Sequence, residues 1–187
     1  MNWIIFGVVA WIFLGFESGF REALQVGQTN IAPSFVLILL VFVSLWAKPL
    51  HALWAAFFLG CSLDMLNQVP TRGGETVSLL GPWALGCMLA AYTVLNFRVM
   101  MFRRNPLTIA FLCAVGGGIA SVVALAFVSL RGYYDDVVTL PASSNLFQHG
   151  ASAIYTGILA LLIGPALHWI GPWMGFRRPA SLAGGRR

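Results

Sequence analysis

Few side chains in this 187-residue chain could do chemistry, and Asp64 is the first of them. It is the one acid inside a predicted span, about one turn from the end of an apolar run, with Glu17 assigned to the interface near the end of the first run. Holding a charge at the centre of a membrane helix costs roughly 2.5–3.5 kcal/mol, and less near a helix end, so an ionisable group there is a functional candidate. Gly60 precedes it by four and shares its helical face, where a partner helix could pack on the glycine while meeting the carboxylate. Asp64 could equally cap or face the interface beside Asn67.

The other candidates are dispersed. His51 starts one apolar run, His149 precedes another and His168 lies near the end of that same run. Alternating spans put His149 on one side and the other two on the opposite side, which argues against a shared metal site. No Gly-x-Ser-x-Gly setting surrounds Ser62, Ser121, Ser129 or Ser152, and Asp64 lacks a partner for an aspartyl pair. Cys61, Cys87 and Cys113 all fall in apolar stretches, an odd set that is no disulfide framework. Gly116, Gly117 and Gly118 suit close helix crossing rather than phosphate binding, because no strand precedes them. Asp135 and Asp136 fit a solvated loop, with a divalent-ion site as the alternative.

The elements that position these residues follow from composition. Hydrophobic residues are 59% of the chain, charged ones 9%, and mean hydropathy is +0.83. Soluble domains carry about 25% charged residues, so this chain cannot clothe a water-facing surface. A span needs about 20 mostly apolar residues. Six such runs are visible, over approximately 3–20, 31–47, 50–66, 79–97, 107–130 and 151–170. The prediction is an all-α integral membrane protein, a compact bundle of about six transmembrane helices forming a single domain over 1–176. Pro33 falls in the first turn of the second run, where a missing N–H costs least. Lys48 and Pro49 alone separate the second and third runs, which forces an antiparallel hairpin. Little chain remains for a soluble catalytic domain, an ectodomain or an ATP-driven motor.

Charge sets the orientation. Lys48, Arg98, Arg103, Arg104 and the tail arginines 177, 178, 186 and 187 share the side of the N-terminus, whereas only Arg21, Arg72 and Arg131 lie opposite. By the positive-inside rule both ends are predicted to be cytoplasmic, with 177–187 a disordered basic tail. The start of the chain lacks the basic region and cleavage site of a signal peptide, so the first run is expected to be retained. Trp46, Trp83, Trp169 and Trp173 stand near span ends, as an interfacial belt would. The net charge of +5 is thus orientation signal, not a nucleic-acid surface. Arg98, Arg103 and Arg104 also form the natural contact for a cytoplasmic partner or acidic membrane lipid. From the residues alone the chain is a scaffold or a small-solute carrier.

The central stretch resembles a known family. Pro33-Ser34-Phe35 opens one run, Gly60-Cys61-Ser62-Leu63-Asp64 closes the next, Leu80-Gly81-Pro82 opens the third, and Tyr92 precedes the basic loop. This pattern, over roughly 31–105, resembles the bacterial rod shape-determining protein MreD family. The connection 67–78 is longer than the few residues usual there. The resemblance implies a non-enzymatic subunit of the cell-elongation machinery in the inner membrane, without cofactor. Its implied partners are an MreC-like periplasmic protein, the MreB filament, and a SEDS-type glycosyltransferase with its transpeptidase, which build lateral peptidoglycan. Pro33, Gly60, Asp64, Gly81, Tyr92 and Gly116 to Gly118 are then candidate partner-binding or structural positions. The family is also similar in fold to the S-components of vitamin transporters, so a small-solute-binding subunit of an ECF-type transporter is the alternative.

Overall fold

From Phe35 to Leu45 the chain carries one polar side chain, Ser44. A helix apolar all round has no face to offer water and has to be enclosed. In the computed structural model, which describes residues 1–27, 29, 31–70, 76–101, 105–131 and 142–176, this stretch is α2 (Phe35–Trp46) and every residue from Phe35 to Leu45 is buried. Around it stand α1 (Trp3–Phe20), α3 (Pro49–Leu66), α4 (Pro82–Phe97), α5 (Pro106–Arg131) and α6 (Ala142–Ile170), each packed against α2. Between α3 and α4 lie β1 (Gln68–Pro70) and β2 (Thr76–Ser78), an antiparallel pair with Val69 opposite Val77. The six helices make the fold an all-α bundle.

Helix length divides the six. α1, α3, α5 and residues Leu146–Ile170 of α6 are long and apolar enough to cross a membrane. α2 has 12 residues and α4 has 16, about 18 Å and about 24 Å of helix against a hydrocarbon core of roughly 30 Å. Of the six predicted runs, four are thus long helices and two are shorter apolar ones. The second run shortens at its start because Ala32, placed before a proline, is disfavoured in helical conformation. Pro33 lies outside α2, not in its first turn, and Ser34 is the N-cap, its side chain accepting from the Leu37 N–H. α4 starts late because Gly81 has φ +127°, a conformation that favours glycine and cannot continue a helix.

The Asn2 N–H donates to the Met174 carbonyl at 3.0 Å, so the start of α1 and the end of α6 share one end of the bundle, as an even number of passes requires. α4 and α5 run antiparallel, with Gly86 against Ala120 and Gly116 against Ala90 and Val94. A would-be Cβ on Gly86 would lie 2.6 Å from the Ala120 carbonyl oxygen, and one on Gly157 would lie 2.8 Å from that of Ala110. Backbones touch at these crossings, which is how helices gain packing where lipid offers no hydrophobic driving force.

Candidate functional site

A short helix enclosed by protein has no water to satisfy its end groups, so neighbouring elements must supply the partners. At the start of α2 the carboxylate of Glu17, from α1, does so. Its Oε2 accepts from the Phe35 N–H at 2.6 Å, the Val36 N–H at 3.2 Å and the Ser34 hydroxyl at 3.2 Å. Thr156 Oγ1 accepts from the Ser34 N–H at 2.9 Å, and Ser152 Oγ from the Ala32 N–H at 3.2 Å, joining α6 to the same end. At the other end of α2, Arg98 Nη1 donates to the carbonyls of Ala47 at 2.7 Å and Ser44 at 3.1 Å. A negative group thus meets the positive end of the helix dipole and a positive group the negative end.

α4 is held in the same way. Asp64, 1% exposed, accepts from Gly81 N–H at 2.8 Å and Ala84 N–H at 3.1 Å through Oδ2, and from Trp83 N–H at 2.9 Å through Oδ1. Gly60 makes this reach possible. A Cβ there would sit 2.5 Å from Ala84 Cα and 2.8 Å from the Trp83 carbonyl oxygen, so α3 and α4 meet backbone to backbone. Gly60, Asp64 and Gly81 therefore form one joint. The cap anticipated for Asp64 is real, but it closes the start of α4 rather than the end of its own helix beside Asn67. Asn67 instead accepts from Arg21 Nη1 at 2.8 Å.

Sequence reasoning put Glu17 at the interface, outside the intramembrane acids; the structure places it 4% exposed inside the bundle. Spacing carried the signal. Phe6, Ala10, Phe13 and Glu17 lie three or four residues apart and form the buried stripe of α1, so the acid continues the core face. Glu17→Gln keeps an acceptor oxygen but removes the charge that strengthens three hydrogen bonds. It should lower stability by about 1 kcal/mol, read as a fall of a few degrees in the apparent Tm of the detergent-solubilised protein.

The remaining candidates divide. Gly116 faces Ala90, Val41 and Val94, and Gly117 faces Ala153 and Leu37, both within the bundle, whereas a Cβ on Gly118 would meet nothing within 4 Å. Tyr92 is 56% exposed on the outer surface of α4. Arg98 points inward onto α2, while Arg103, Arg104 and the tail 177–187 lie outside the described residues, as do Asp135 and Asp136. His149 packs its ring near Trp83 at one end, and His51 on Trp3 and His168 on Trp46 at the other.

Between the two caps lies a polar cavity of about 40 Å³, lined by Glu17, Arg21, Ser34, Asn67, Ser121 and His149 among others. That volume suits one or two waters. The geometry performs architecture: Glu17 and Asp64 hold the starts of α2 and α4, and Arg98 holds the end of α2. Compared with protein-family models, with curated proteins and with solved structures, the chain finds no match.

Proposed function

We propose that this chain is a non-enzymatic scaffold subunit of the bacterial cell-elongation machinery, similar in role to the MreD family, acting by binding an MreC-like partner. Its site is the inner membrane, with both ends of the chain cytoplasmic, beside the MreB filament, the SEDS-type glycosyltransferase and its transpeptidase. The observation that carries this is the α3–α4 joint. Gly60, Asp64 and Gly81, three of the residues that carry the resemblance, meet in one place, so this part of the pattern is a single packing device. A pattern with one physical cause is stronger support than three scattered matches.

The intramembrane acids add to it. Both carboxylates are engaged by N–H donors of neighbouring helices, an arrangement that suits a rigid bundle presenting its outer faces to partner helices. The polar cavity between the helix caps, at about 40 Å³, is itself too small for a vitamin. In a rod-shaped host, depletion of the protein should round the cells before growth stops, and re-expression should restore rods. Rods that persist after depletion would overturn the proposal.

A further inference from the structure

The polar cavity between the caps takes part of its lining from every helix of the bundle. Two of the lining residues hold polar atoms that the helices leave without a partner. All three hydrogen bonds to the Glu17 carboxylate end on Oε2, and Oε1 accepts none among the described residues. Ser121, on α5, is 6% exposed, and among the described residues its hydroxyl makes no hydrogen bond either. Arg21 follows Glu17 by four residues, on the same side of the helix, and lines the same cavity. No ion pair joins the two among the described residues, and Arg21 Nη1 is turned to Asn67 at the end of α3.

A buried carboxylate oxygen and a buried hydroxyl on one small cavity call for an occupant that both donates and accepts. Glu17 is the acid of the lining and Arg21 its permanent cation, so their charges balance and a neutral group fits better than an ion. The volume of about 40 Å³ matches one or two molecules of water. We infer that the cavity is a water-binding site in which a bound water donates to Glu17 Oε1, bonds the Ser121 hydroxyl and accepts from Arg21. Glu17 and Arg21 then form a water-mediated ion pair. The main contacts of α1 are otherwise with α2 and α3, and the water ties its end to α5 as well. The site does not depend on the scaffold role.

The test measures the folding equilibrium constant of the full-length protein by reversible unfolding in mixed detergent micelles. Ser121→Ala should lower that constant about fivefold, because the water loses a partner. In a dry cavity the same change would remove an unpaired hydroxyl and raise the constant, which would overturn the assignment. Glu17→Gln and Ser121→Ala alter different helices, so a water shared by both predicts a double variant that loses clearly less than the product of the two single losses. Losses that simply multiply would show that no shared group links them and would also overturn it. Exchange of sodium chloride for choline chloride at equal ionic strength should leave the constant unchanged. A rise specific to sodium would give the site to a cation instead of water.

Discussion

Asp64→Ala is expected to destabilise the protein by about 3 kcal/mol, because it leaves three backbone N–H groups at the start of α4 without their acceptor in a site closed to water. In a chain of this length that is a fall of roughly 6–12 °C in apparent Tm. Asp64→Asn should cost about half as much, since one side-chain oxygen remains while the amide NH₂ faces donors. Thermal unfolding of the detergent-solubilised variants, followed by helical circular dichroism, measures both. An Asp64→Ala protein as stable as the parent would mean that the carboxylate does not hold α4.

Gly60→Ala should be comparably damaging for a different reason. Its Cβ would meet Ala84 Cα at 2.5 Å, a backbone atom that cannot rotate away, so α3 and α4 must move apart. Overpacking of this kind costs about 1–3 kcal/mol, and the separation also stretches the bonds from Asp64. The combined effect should again be about 3 kcal/mol. Since both changes open the same joint, Gly60→Ala with Asp64→Ala should destabilise by clearly less than the sum of the single variants. Gly118→Ala is the control of opposite sign. Nothing lies within 4 Å of its Cβ position, so better helix propensity should leave the protein unchanged or more stable by up to about 1 kcal/mol. If Gly60→Ala behaved like Gly118→Ala, the close contact of α3 with α4 would be refuted.

The extent to which the sequence revealed this arrangement follows from the range of each signal. The runs that became α1, α3 and α5 were legible because apolar length bounded by charge is a local property, and their ends fall within a residue or two of the predicted ones. α2 was read too long because hydropathy counts Ile31 and Ala32 as apolar and does not see that Ser34 caps the helix. Gly60 and Asp64 were identified as one helical face, with a closely packed helix expected against it. That helix proves to be α4 of the same chain. The pairing needs Asp64 and Gly81 to meet across 17 residues of sequence, and no periodicity records such a contact. Arg98 eluded sequence reasoning for the same reason, its acceptors lying about 50 residues earlier on α2. Glu17 was misplaced although its stripe was visible, because an acid near the end of an apolar run was assigned to the interface by type rather than by face.

The cap joints explain how a chain so poor in polar groups fixes one arrangement of its helices. With little hydrophobic force between helices in lipid, apolar contact alone allows neighbouring registers. Carboxylates that must find N–H donors at one helix start allow one register each. Rigidity of that kind suits a surface that partner helices dock against.

The most direct test of the scaffold role is to purify the tagged full-length protein from its native membranes in mild detergent and identify what comes with it. An MreC-like protein with one membrane span should accompany it near one-to-one stoichiometry and survive washing in moderate salt. Recovery of the chain alone, or with an ATPase module and a bound small solute, would contradict the proposal.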